Sequence, residues 1–276
     1  MPDFKIIMEK VTKSQVKLVK SLQLKKFRDE LGLFVAEGEK CVEEIRKSFE
    51  LVHLYREGEN ATRTEIEQMS GLRTPQGVIG VFKKREASNI QTLKLSNDLT
   101  LALDGIQDPG NLGTIIRTCD WFGVHDIVCS LDTADCYNPK VVQATMGALA
   151  RVRVHYVDLP KWLKEYRTQN TEHRPIYGTL LDGRDMYEVL SAQRSVSAAV
   201  GTLSAQRSVI VMGNEGNGIS QEVRKLVTHP VRIPSYPKNG ASEHSGTNKE
   251  APEVIESLNV SIATAIVLAE FRRLEF

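Results

Sequence analysis

Three loops in the last two thirds of the sequence carry the residue types best suited to chemistry. The first, DPGNLGTIIRTCDWFG (108–123), places Asn111 six residues ahead of Arg117, while Pro109, Gly110 and Gly113 shape a tight turn into a helix. A guanidinium on the first turns of a helix suits a phosphate or a carboxylate; the same pattern also describes a plain turn followed by a surface arginine. In the second, VIVMGNEGNGIS (209–220), Gly213, Gly216 and Gly218 surround Glu215. Glycines there let backbone amides and carbonyls approach a ligand closely, and the alternative is a turn with a solvated glutamate. The third, VIESLNVSIATAIVLAEFRR (254–273), sets Ser257 and Asn259 ahead of a helix that is apolar nearly all round. Its simplest account is a helix N-cap at Ser257 with Asn259 bonded locally.

These loops need a frame. From Leu99 onward short apolar runs (LTLALDG, DIVCS, VRVHYV, PIYGTLL, VIVMG, HPVRIP) alternate with helical stretches, one of them opened by Asn138-Pro139. Asn as N-cap with Pro at the first helical position is a strong start signal. The last helix is expected from about Ser257 to Arg273. Such alternation predicts an α/β domain with a mostly parallel sheet covered on both faces, and ligands collect at the carboxyl ends of its strands. All three loops follow strands of this domain.

Residues 1–82 read as a small α/β unit, with strands at LGLFVAEG, LVHLY and GVIGVF and a helix near 14–30. On that helix Val16, Leu18, Val19 and Leu22 fall on one arc and Lys13, Lys17, Lys20 and Arg28 on another; Leu24 alone breaks the separation. Between Lys5 and Arg28 there are eight basic residues against one acid, Glu9, on a chain whose net charge is only +1. A local basic face of this kind fits a polyanion, or is solvated surface. The polar stretch 83–98 is expected to link this unit to a domain at 99–276.

With 41% hydrophobic and 26% charged residues, the chain is expected to bury a proper core. The N-terminus has no signal-like apolar run and no stretch is long enough to span a bilayer, so a cytoplasmic protein is expected. Cys41, Cys119, Cys129 and Cys136 form no CxxC pair, which predicts reduced thiols and no metal site. The glycine spacing at 213–218 is G-x-x-G-x-G, and the turn at 107–113 lacks G-x-G-x-x-G as well, which argues against a nicotinamide enzyme. Two segments break the α/β rhythm: a short direct repeat, SAQRSV, at 191–196 and 204–209, and a polar insert at 237–253 expected to be mobile.

In order and spacing, NLGTIIR (111–117), GNEGNGIS (213–220) and Ile233-Pro234 followed by ESLNVS (256–261) resemble the three motifs of the SpoU (TrmH-like) family of SPOUT methyltransferases. The resemblance spans roughly residues 99–273. The segments VAEGEKCVEE and TPQGVIGVF are similar, more loosely, to the small substrate-binding domain that many members carry. The resemblance implies a trefoil-knotted SPOUT fold, a homodimer with the site near the subunit interface, and methyl transfer from S-adenosylmethionine to a ribose 2′-hydroxyl of ribosomal or transfer RNA. Asn111, Arg117, Glu215, Ser257 and Asn259 match positions associated with catalysis and cofactor placement. Met212, Gly213, Asn214, Gly218, Ile233, Ser257 and Leu258 match the cofactor-holding segments, largely through backbone. Lys13, Lys17, Lys20, Arg28 and Arg117 are expected to face RNA. No metal is required, because the sulfonium methyl is already an activated electrophile. A non-catalytic RNA-binding protein on the same fold is the alternative, distinguished by lack of turnover.

Overall fold

The structure, a computed structural model, describes residues 10–86, 99–168, 174–192, 208–235 and 257–273. The N-terminal part runs α1 (Lys13–Ser21), α2 (Lys25–Leu31), β1 (Leu33–Glu37), α3 (Glu39–Ile45), β2 (Leu51–Arg56), α4 (Arg63–Met69) and β3 (Val78–Lys83). Its strands form an antiparallel sheet in the order β1-β3-β2. The C-terminal part runs β4 (Leu99–Asp104), α5 (Pro109–Trp121), β5 (Asp126–Ser130), α6 (Pro139–Thr145), β6 (Arg153–Val157), α7 (Leu159–Thr168) and β7 (Ile176–Asp185). It continues with α8 over 186–192, then β8 (Ser208–Gly213), α9 (Gln221–Arg224), β9 (His229–Arg232) and α10 (Val260–Arg273). Six strands make one parallel sheet in the order β6-β5-β4-β8-β7-β9.

The central strands are buried on both faces, and their alternation divides the interior in two. Leu101, Leu103, Ile127, Cys129, Ile210 and Met212 point into a core shared with α5, α6 and α10. Ala102, Val128, Val209 and Val211 point into the other, against Trp162 and Leu163 of α7 and Val223 of α9. Gly113 of α5 is required by packing: a Cβ there would collide with Ala144 of α6 and press on the Val141 carbonyl.

Two expectations for the N-terminal part are corrected. The helix near 14–30 is two helices, interrupted at 22–24, and Leu24, the residue that spoiled the single apolar arc, is exposed at the break. Arg28 then faces inward rather than joining the lysine arc. Its Nε and Nη2 donate to Asp135 at 3.0 and 2.8 Å, its Nη1 donates to the carbonyls of Leu22 and Gln23 at 2.9 Å each, and it is 1% exposed. With its charge paired and its donors engaged, it is unavailable to a phosphate.

The stretch expected to link the two parts also begins as docked structure. Lys84 pairs with Asp29 at 2.6 Å, and Arg85 donates to the carbonyls of Val152 and Ala150 at 3.1 and 2.9 Å while lying over the Phe49 ring. Phe34, Cys41, Val42, Ile45 and Phe82 share one apolar core with Leu112, Ile116, Val142 and Leu149, so the two sheets are held by a common interior. Residues 87–98 of the expected linker, most of the SAQRSV repeat, the insert at 237–253 and the segment on which the expected knot depends lie outside the described residues.

Candidate functional site

At the C-terminal edge of the parallel sheet, β4 ends at Asp104 and the chain turns through Gly105, whose φ of +72° is left-handed and favours glycine. Asp108 caps α5, accepting from the Asn111 N–H at 2.7 Å, and Pro109 fills the first helical position. This places Asn111 on the first turn of α5, at the edge. Arg117 lies about 9 Å further up the same helix, from six residues at 1.5 Å each, and about 120° around it. It is exposed and, among the described residues, has no hydrogen-bond or ion-pair partner.

The loop after β8 is closed on itself. Asn214 and Gly218 exchange backbone hydrogen bonds at 3.0 and 2.9 Å, and Asn214 Oδ1 accepts from Gly216 and Asn217 N–H at 2.8 and 3.1 Å. Asn214 Nδ2 donates to the Gly105 carbonyl at 2.8 Å, fastening this loop to the β4–α5 turn. Gly213 must be glycine because a Cβ there would strike the Gly218–Ile219 backbone. Gly216 borders open space, with only Asn214 Oδ1 near a built Cβ, at 3.4 Å. Asp104 completes the frame, accepting the Ser220 N–H at 2.7 Å.

The third loop meets the other two through Asn259. Its Oδ1 accepts from Ser261 N–H at 3.0 Å, Ile262 N–H at 3.4 Å and the Ser261 hydroxyl at 2.6 Å. Asn259 is therefore the cap of α10, where Ser257 was expected; Ser257 and Leu258 precede it and are exposed. Asn259 Nδ2 donates to Asn111 Oδ1 at 3.0 Å, and Asn111 Nδ2 donates to the Glu215 carboxylate. Residues 111, 215 and 259, one from each of the three loops, thus form one hydrogen-bonded row.

The remaining sequence-selected residues divide by exposure. Met212 is buried in the core, with the Thr179 hydroxyl 3.6 Å from its sulfur, so only its backbone can meet a ligand. Ile233 is partly buried against the same core. Lys13, Lys17 and Lys20 are exposed on α1 and, among the described residues, form no ion pair. Asp104, Asp108, Gly105 and Ser261 escaped sequence reasoning, although Asp-Gly after an apolar strand and Asp-Pro before a helix are readable signals. The four cysteines are buried, and burial pushes their thiols up, to about 11 for Cys41 and about 12 for Cys136. They are packing residues.

The 213–218 loop suits an adenosyl cofactor, because Asn214 fixes its turn and Gly216 borders open space where a ligand can reach the backbone. The model of the SpoU rRNA Methylase family matches residues 98–242, and that of the MRM3-like substrate binding domain matches 13–61. The 23S rRNA (guanosine(2553)-2′-O)-methyltransferase RlmP of Bacillus subtilis is 26% identical over 279 residues, 96% of this chain and 98% of that protein. The solved structure of a putative TrmH-family RNA methyltransferase from Porphyromonas gingivalis is 32% identical, with a TM-score of 0.75 over 95% of this chain and 98% of that one. An AdoMet-bound rRNA methyltransferase from Sinorhizobium meliloti is 28% identical, with a TM-score of 0.73 over 96% of both chains. The fold is that of a SPOUT methyltransferase. The chain belongs to the SpoU rRNA methylase family and is an S-adenosylmethionine-dependent RNA 2′-O-ribose methyltransferase.

Proposed function

We propose that the protein methylates a ribose 2′-hydroxyl in large-subunit ribosomal RNA, working as a cytoplasmic homodimer. The row Asn111–Glu215–Asn259 carries this reading, because it joins the three loops at the sheet edge where an adenosyl group and a ribose must meet. The substrate class is supported by the B. subtilis relative of nearly equal length. The backbone around Gly213, Asn214 and Gly218, with Ile233, Ser257 and Leu258, would hold S-adenosylmethionine, which supplies a methyl group already activated on sulfur. Transfer then needs an aligned hydroxyl and a stabilised developing charge. A guanidinium offers donors and no acceptor, so the work of Arg117 is electrostatic: gripping an RNA phosphate beside the reacting ribose. Lys13, Lys17 and Lys20 extend that phosphate contact on α1.

The dimer is supported by one surface. On α5, Thr114, Arg117 and Trp121 follow each other at helical spacing on the outward side, and Trp121 is 85% exposed. On α10, packed against α5, Ile262 is 54% exposed and Ala269 is exposed in the same stripe. Exposed apolar side chains on two adjoining helices are what a second copy would cover. Sedimentation velocity at micromolar concentration should show a dimer, converted to monomer by Trp121→Glu; a wild-type monomer would remove this part of the reading. Ribose-methylation mapping of total RNA from a deletion strain should show one or a few lost marks in 23S rRNA. Loss confined to transfer RNA would correct the substrate.

A further inference from the structure

The hydrogen bonds at the sheet edge have a direction that no member can reverse alone. It starts at α10, where the backbone N–H groups of Ser261 and Ile262 can only donate, so Asn259 must present Oδ1 to them. Its Nδ2 is thereby turned to Asn111 Oδ1, and Asn111 is left with Nδ2 to offer Glu215. Glu215 is the terminus: it receives a donor and passes none on. Its side chain is exposed and, among the described residues, pairs with no cation.

The other carboxylates of this edge are committed elsewhere. Asp104 is buried and holds the Ser220 N–H, Asp108 holds the Asn111 N–H, and Asp132 receives the Ser130 hydroxyl at 2.5 Å. Arg117 has no acceptor to give. Glu215 is the carboxylate of this edge that the row joining the three loops aims, and only its Oε1 accepts from Asn111, which leaves Oε2 for a nucleophilic hydroxyl.

We propose that Glu215 is the group that takes the ribose 2′-hydroxyl proton, an assignment that rests on the methyltransferase reading above. As the ribose oxygen bonds to the methyl carbon, the carbon–sulfur bond of S-adenosylmethionine breaks and its electron pair stays on sulfur, giving neutral S-adenosylhomocysteine. The hydroxyl proton passes to a Glu215 oxygen and from there to solvent. Asn111 and Asn259 are positioning residues in this scheme, aiming the carboxylate through a chain anchored in the α10 cap.

Glu215→Gln tests it cleanly, because the glutamine Oε1 still accepts from Asn111 and the row keeps its shape. Calorimetry with S-adenosylhomocysteine, and filter binding of total RNA from a deletion strain, should give affinities within about twofold of the unaltered protein. The single-turnover methyl-transfer rate on that RNA should fall roughly 100- to 1000-fold, within the range general bases contribute. The unaltered protein should lose rate on acidification as the carboxylate is protonated, and the variant should lack that acid limb. Carbodiimide-driven amine labelling of Glu215, read by peptide mass spectrometry, should be blocked by the RNA. Near-full single-turnover rate in Glu215→Gln, an acid limb that survives in it, or labelling that RNA leaves unchanged would overturn the assignment while sparing the methyltransferase reading. Unaltered protein that binds S-adenosylhomocysteine yet methylates none of this RNA would end both.

Discussion

The helix pair at the N-terminus and the loops at the sheet edge use the same kinds of polar residue to opposite ends. Arg28 on α2 lies behind Asp135 with its guanidinium donors engaged, and the two joined parts of the molecule depend on it. Arg117 on α5 is equally basic, yet stands in solvent with no partner among the described residues. Lys13, Lys17 and Lys20, one helix away from Arg28, are of the second kind. A buried ion pair is costly to break and invisible to a ligand, whereas an exposed cation contributes little to folding and is free to bind. Charge type alone does not separate the two; the partner does.

Three substitutions widen or erase that contrast. Arg28→Ala leaves Asp135 nearly buried without its cation, which should cost about 3 to 5 kcal/mol of stability in urea unfolding. The salt dependence of RNA binding by the fraction that remains folded should be unchanged; stability within about 1 kcal/mol of the parent would show that the pair holds nothing. Arg117→Ala should do the reverse. Unfolding and S-adenosylhomocysteine affinity stay as they are, and methyl transfer falls roughly 100- to 1000-fold, the usual cost of one lost electrostatic stabiliser. Replacing Lys13, Lys17 and Lys20 together with Ala should leave both stability and cofactor affinity intact while flattening the log–log salt slope of RNA binding by about two to three units. An unchanged slope would make that face ordinary surface.

The smallest effect is expected at the thiols. Burial pushes Cys41 up to about 11, so at pH 8 it is a neutral thiol and a poor nucleophile in the folded protein. Iodoacetamide at pH 8 should leave the native protein unlabelled and should alkylate it once urea exposes the cysteines. Rapid labelling of the native state would mean that the shared core opens locally.

Much of the frame was legible because it rests on short-range rules. Short apolar runs named the strands, and Asn138-Pro139 named α6, where Asn138 Oδ1 accepts the Lys140 N–H at 2.9 Å. What escaped was long-range. Nothing local to Arg28 indicates that Asp135, 107 residues away, will neutralise it. The break at 22–24 left one trace, the misplaced Leu24, since lysine-rich sequence on both sides is equally helical. The α10 cap passed from Ser257 to Asn259 because either residue type can cap, and the contact that favours Asn259 comes from Asn111 on another helix. Three loops could be picked out as site candidates from composition and spacing; their meeting in one row is a property of the parallel sheet.

The central claim is that this edge moves a methyl group to a ribose hydroxyl of RNA. Purified protein incubated with methyl-labelled S-adenosylmethionine and total RNA from a deletion strain, followed by nuclease digestion and nucleoside mass spectrometry, tests it in one step. The label is expected in a single class of 2′-O-methylated nucleoside released from ribosomal RNA, and to accumulate far more slowly with Arg117→Ala. Label on a base, or binding of S-adenosylmethionine with no transfer to any RNA, would contradict the account.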